Sequence, residues 1–137
     1  MPFVNIAVAG ASLTKPQKQR LFEETTRLMA EVMHKKASLT AVRIDEYPAE
    51  NWGIAGAAVS ATKHPAVHTD IKVTAGTNTD AEKAEMIRLG MAMLKDAVGT
   101  TPEASYIVIH DLDAGAWGYN GRTQKARAQK KTKTKAA

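Results

Sequence analysis

Asn51-Trp52-Gly53-Ile54-Ala55-Gly56 returns 65 residues later as Ala116-Trp117-Gly118-Tyr119-Asn120-Gly121, and these segments hold the only two tryptophans. Moving outward, the same offset carries Ile6 and Val8 onto Ile71 and Val73. It also carries Thr14-Lys15-Pro16-Gln17 onto Thr79-Asp80-Ala81-Glu82. Both tetrapeptides read as capping boxes, a threonine N-cap followed three residues later by Gln or Glu. Pro16 suits the first turn of its helix. The chain is an internal repeat, and the repeat decides the architecture.

Behind each capping box, apolar or small residues recur at helical spacing. The first set is Leu21, Phe22, Thr25, Leu28, Met29, Val32 and Met33; the second is Met86, Ile87, Gly90, Met93, Leu94, Ala97 and Val98. Spacings of three and four predict one buried face per helix, over about 15–34 and 80–98. The methionines read as core filling. A strand precedes each helix, and a second follows it: Leu39-Thr-Ala-Val-Arg-Ile-Asp-Glu46 and Ala104-Ser-Tyr-Ile-Val-Ile-His-Asp111. Each unit is therefore β-α-β with a parallel, right-handed crossover. The fold class is α/β (α+β): two tandem β-α-β units forming a four-stranded sheet with two helices on one face. The expected divisions are 2–56 for the first unit, 57–69 for a linker, 70–121 for the second unit and 122–137 for a tail. His64 and His68 read as exposed linker residues. The other sheet face needs a cover that the chain does not supply, which points to self-association.

Length and composition bound the rest. The 137 residues make one domain or two small units sharing a core, and the hydrophobic fraction of 44% suffices to pack one. There is no cysteine, hence no disulfide framework, thiol nucleophile or cysteine metal site. No signal peptide or membrane-spanning run is evident, so a cytoplasmic location is expected. The net charge of +5 belongs to the end of the chain: Arg122, Lys125, Arg127, Lys130, Lys131, Lys133 and Lys135 include no acid among them, and without these seven the body is near −2. The tail is expected to be disordered and solubilising, with polyanion or nucleic-acid contact as the alternative. No carboxylates cluster near the histidines, and no metal or cofactor is expected.

Pro2 directly follows Met1 and precedes the strand-like Phe3-Val-Asn-Ile-Ala-Val8. A small second residue favours removal of the initiator methionine. The Pro2 nitrogen would then be a secondary amine, able to accept a proton, where an internal prolyl nitrogen is a non-basic amide. An α-amino group has a pKa of roughly 7.7–8.0. Burial or a neighbouring cation lowers it toward the pH at which a general base works best.

The Met-Pro start on a strand, the Leu39-Thr-Ala-Val-Arg43 strand and the aromatic-Gly-x-x-Gly turn resemble 4-oxalocrotonate tautomerase, of the tautomerase superfamily. The chain looks like a fused version with two units. The resemblance implies keto–enol tautomerisation of a 2-keto or 2-hydroxydienoic acid with Pro2 as general base, without a cofactor, in a homotrimer. Arg43 would hold a substrate carboxylate, and Trp52 and Trp117 match the family's aromatic wall. Tyr106, in phase with His110 on the second unit's strand, would donate a hydrogen bond or orient water. Arg122, after the second turn, is a weaker candidate. Pro2 aligns with Val67 or His68 in the second unit, so only one unit can carry a proline base. The family's second substrate arginine has no match in Ala9-Gly-Ala-Ser-Leu-Thr14, which leaves mono- and dicarboxylate substrates both open. Hydratase, dehalogenase or decarboxylase chemistry with Pro2 as acid is the enzymatic alternative. A non-catalytic trimeric binding module is the other.

Overall fold

The computed structural model describes residues 2–61 and 64–129. The chain runs β1 (Phe3–Ala9), α1 (Lys15–Glu31), β2 (Ala41–Tyr47), then the short strands β3 (Gly53–Ile54) and β4 (Ala57–Ala58). The plan repeats as β5 (Ala66–Thr74), α2 (Asp80–Val98), β6 (Tyr106–Leu112), β7 (Gly118–Tyr119) and β8 (Arg122–Thr123). β1 pairs in parallel with β2, and β5 with β6. The four main strands form one sheet in the order β2-β1-β5-β6. The units meet where β1 and β5 pair antiparallel, Phe3 opposite Lys72 and Ala9 opposite Ala66. That pairing is the central fact for function. It brings the start of β1 to the end of β5, and therefore to whatever follows β6.

Both capping boxes form, Thr14 with Gln17 and Thr79 with Glu82. The helices lie side by side and antiparallel, since Gln17 at the start of α1 donates to the Ala97 carbonyl at the end of α2. Val4, Ile6 and Val8 of β1 and Val67, Ile71 and Val73 of β5 point at them and pack against Leu21, Leu28, Met29, Met86 and Leu94. Strand side chains alternate between faces. The opposite face therefore carries Phe3, Asn5, Arg43, Asp45, His68, Asp70, Lys72 and His110, a polar surface that no helix among the described residues covers.

Four expectations change. α1 ends at Glu31, three residues early. His34 takes a left-handed φ of 57°, and the Lys35 amide bonds back to the Met29 carbonyl, closing the helix without a glycine. Phe22 and Ile87, expected in the core, are exposed at 37% and 40%. They occupy the same place in each repeat, on the helix flank beyond the edge of contact with the sheet. The second unit begins at Ala66, so His68 is a strand residue and not a linker one. The alternation His68-Thr-Asp-Ile-Lys-Val73 sends its apolar members to the helices and its polar ones to the open face.

The basic tail also starts later than expected. Arg122 and Thr123 form β8, and residues 124–129 continue as a helical turn. The Thr123 hydroxyl accepts from the Ala126 amide. Arg127 lies 3.7 Å over the Tyr119 ring and donates to the Tyr119 carbonyl at 3.0 Å. These contacts fix the segment against the hairpin, and positive charge alone gave no sign of them. The stretch 130–137 lies outside the described residues, and so does the expectation of disorder there. No helix among the described residues is long and apolar enough to cross a membrane.

Candidate active site

Pro2 is buried at the start of β1, and its carbonyl accepts a hydrogen bond from the Ala41 amide of β2 at 3.4 Å. It borders a cavity of about 290 Å³ lined by Phe3, Ala41 and Arg43 from the first unit. Lys72, Trp117, Gly118, Tyr119 and Gln124 close it from the second. The two units build the site jointly. β1 supplies Pro2, and the antiparallel junction sets Lys72 across from Phe3. The β7–β8 hairpin then folds over from the end of β6 to provide the aromatic wall.

The cavity is electropositive. The Arg43 guanidinium and the Lys72 ammonium lie 5.6 Å and 5.8 Å from the centre of the Phe3 ring. Both therefore gain from the ring's electron-rich face. Arg43 is partly committed already, to Asp45 at 3.3 Å and to the Asn5 side-chain oxygen at 3.0 Å. Lys72 makes no ion pair among the described residues. No acidic side chain lines the cavity.

The hairpin turns tightly at Asn120-Gly121, with φ of 49° and 78°. This is the two-residue type I′ geometry that favours Asn-Gly. Trp117 is held from both sides: its indole donates to the Thr74 hydroxyl at 3.2 Å, and its carbonyl accepts from the Gln124 amide at 3.0 Å. Gly118 has no room for a side chain. A Cβ there would meet the Arg122 carbonyl oxygen and would stand 2.7 Å from the Thr123 Cα. Gly118→Ala should therefore pry the hairpin open, destabilise the fold by about 1–3 kcal/mol and move Trp117 off the cavity. Thermal melting together with tryptophan emission checks this. An unchanged emission spectrum and midpoint would contradict it.

The structure thus gathers Pro2, Arg43 and Trp117 and leaves two other predicted residues elsewhere. Trp52 follows β2 and packs edge-on against Tyr47 at 6.3 Å. Tyr106 begins β6, 59% exposed, 6.2 Å from the His68 ring. Both lie at the opposite end of the sheet. The register pairs Phe3 with Ala41 and His68 with Tyr106, so the repeat offset stays at 65 and Pro2 corresponds to Val67. The second end of the molecule repeats the backbone plan of the first, but Pro2, Arg43, Lys72 and Gln124 are replaced there by Val67, Val108, Ala7 and Val59. Arg122 is not among the residues lining the Pro2 cavity. Lys72 and Gln124 were missed. The polar alternation of β5 could have placed Lys72 on the open face, but only the pairing of β1 with β5 puts it beside Pro2.

A separate polar cluster lies on the open face. His110 Nε2 is 2.7 Å and His68 Nε2 is 3.2 Å from the same Asp70 carboxylate oxygen. These contacts are hydrogen bonds to one oxygen, and no group of three or more His, Cys, Asp or Glu among the described residues is arranged to hold a metal ion. Burial pushes the Asp70 carboxyl up. The hydrogen bonds from His110 and His68, together with their charge, outweigh it and hold the carboxyl below its ordinary 3.8. A depressed folded-state pKa gives stability that is present above the unfolded value and is lost as pH falls through the folded one. Asp70→Asn should accordingly destabilise the protein more at pH 6 than at about pH 2–3. Urea unfolding at both pH values tests this, and an equal loss at each would contradict it.

Comparison with known proteins agrees with this layout. Residues 2–62 match the family described as tautomerase enzyme. A probable tautomerase K2 of Dickeya dadantii is 38% identical over 66 residues, which are 48% of this chain and 98% of that protein. A probable tautomerase of Helicobacter pylori is also 38% identical, over 43% of this chain and 90% of its own. This chain belongs to the tautomerase family. Among solved structures, a fused 4-OT described as a wild-type symmetric trimer superposes with a TM-score of 0.80 at 17% identity, covering 91% of this chain and 98% of the other. Native fused 4-OT gives 0.77 at 17% identity, covering 92% and 98%. The fold is that of a fused, two-unit tautomerase.

Proposed function

We propose that the protein is a cofactor-independent tautomerase that interconverts the enol and keto forms of a small 2-oxo acid, with the Pro2 amine as general base. One observation carries the reading: a single cavity holds Pro2, two cations and an aromatic wall, with no acid among its lining residues. Once Met1 is removed, the Pro2 nitrogen is a secondary amine in an apolar, cationic setting. Both influences favour its neutral form and lower its pKa toward neutrality. Arg43 and Lys72 bind the substrate carboxylate and stabilise the negative charge that develops on the enolate. The amine takes the proton from the enol hydroxyl and delivers it to the carbon that becomes C3 of the keto acid, so no net proton is lost or gained. Trp117 and Tyr119 shield the transfer from water.

Hydratase, dehalogenase or decarboxylase chemistry fits less well. A hydratase needs a carboxylate to activate water, and the lining residues offer none. The polyanion-binding alternative rests on the basic stretch 122–137, in which Arg127 is engaged with Tyr119 and residues 130–137 lie outside the described part of the chain. A homotrimer would cover the polar sheet face, as the likeness to a trimeric fused 4-OT suggests. Trp52 and Tyr106 would meet a substrate only if a neighbouring subunit brought one to them.

The test is ketonisation of phenylenolpyruvate and 2-hydroxymuconate by purified protein whose intact mass confirms loss of Met1. Turnover of either enol above the buffer rate is expected. Processed protein inactive on both would overturn the reading.

A further inference from the structure

Gln124 is the one side chain lining the Pro2 cavity with a buried polar atom that has no hydrogen-bond partner among the described residues, its amide nitrogen. A buried amide donor without a partner is costly and uncommon in a folded protein. The repeat shows that the fold does not require it. Gln124 corresponds to Val59, and the backbone amides of both bond the carbonyl of their unit's tryptophan, at 3.0 Å to Trp117 and 2.8 Å to Trp52. Val59 is 2% exposed, so an apolar side chain serves this position well. The amide occurs only at the end of the molecule that has Pro2. It is also held in place. Its own amide bonds Trp117, the Lys125 amide bonds the Ala114 carbonyl, and Arg127 clamps Tyr119.

We infer that Gln124 is a specificity-determining residue that donates a hydrogen bond to the oxygen at C2 of a 2-oxo or 2-hydroxy acid. The inference rests on reading the Pro2 cavity as a substrate site. The chemistry divides the acceptors. Arg43 and Lys72 make the stronger, charge-assisted contacts and take the carboxylate. The acceptor left on a 2-oxo acid is the C2 oxygen, which a neutral donor can bind in the keto, enol and enolate forms alike. An acid lacking that oxygen would leave the Gln124 amide unsatisfied in the complex.

Calorimetric titration of the full chain with 2-oxo-3-phenylpropanoate and with 3-phenylpropanoate, repeated with Gln124→Met, tests this. The wild-type protein should prefer the 2-oxo acid by about 5- to 10-fold, the worth of one hydrogen bond. Gln124→Met should bind the two acids alike, with the 3-phenylpropanoate affinity kept and the melting temperature unchanged or raised. A preference that survives in the variant would overturn the inference. So would a lowered melting temperature with weaker binding of both acids, which would make the amide a structural brace. If the preference depends on Gln124 but no enol is turned over, Gln124 keeps its role and the tautomerase reading fails. If enols are turned over but the preference ignores Gln124, only the Gln124 inference fails. Wild-type protein that binds neither acid would overturn the Gln124 inference, and the tautomerase reading with it only if neither enol is turned over.

Discussion

Pro2→Ala is expected to lower kcat/KM for enol ketonisation by about 10²–10⁴, the usual worth of a positioned general base. The expectation follows from where the residue sits. Pro2 is buried against the cavity and anchored through its carbonyl to Ala41. Alanine keeps that anchor, so the fold should be intact and the melting temperature close to that of the wild type. It replaces a ring-fixed secondary amine with a primary amine free to rotate about its bond to Cα, and the proton acceptor loses its aim. Protein that retains Met1 should be as inactive as the variant, because its Pro2 nitrogen is an amide. A Pro2→Ala enzyme within about threefold of wild type would remove the proline from the mechanism. Melting curves separate that outcome from misfolding.

Lys72→Met should carry the second large effect, raising KM for a 2-oxo acid about 10- to 100-fold, as expected for a lost charge-assisted hydrogen bond. Arg43→Met should cost less. The difference follows from neutralisation: Arg43 shares its charge with Asp45 and bonds Asn5, whereas Lys72 has no ion pair among the described residues. Methionine keeps the aliphatic stem against Phe3 and removes only the charge. Steady-state kinetics across a salt series would show it, with wild-type KM rising as salt increases and the Lys72→Met value much flatter. If Arg43→Met proved the more damaging, Arg43 would be the principal carboxylate ligand and the weight given to its pairing with Asp45 would be wrong.

The architecture was legible because the sequence states it twice. Two capping boxes, two helical stripes and two Trp-Gly turns at one offset fix the β-α-β units, and the start of β1 points to Pro2 as the reactive group. How the units join was not legible. No hairpin links β1 to β5, so nothing local specifies that they pair antiparallel, Phe3 opposite Lys72. That pairing decides which tryptophan meets Pro2. It is why Trp117 and Lys72 line the cavity while Trp52 and Tyr106 go to the far end. The segment after Gly121 was misjudged for a related reason. Its charges read as a solvated tail, but the stacking of Arg127 on Tyr119 is a tertiary contact that no periodicity announces. The early end of α1 turns on a left-handed histidine where a glycine would have been the readable signal.

The central claim is that Pro2 is a free amine poised to exchange a proton near neutral pH. Protein labelled with nitrogen-15 at proline, its intact mass first checked for loss of Met1, can be titrated by NMR. The result is then set beside the pH dependence of kcat/KM. A single proline nitrogen should titrate below the ordinary α-amino range of roughly 7.7–8.0, with activity rising through the same pKa as the amine becomes neutral. A Pro2 nitrogen that does not titrate, or one whose pKa bears no relation to the activity profile, would contradict the account.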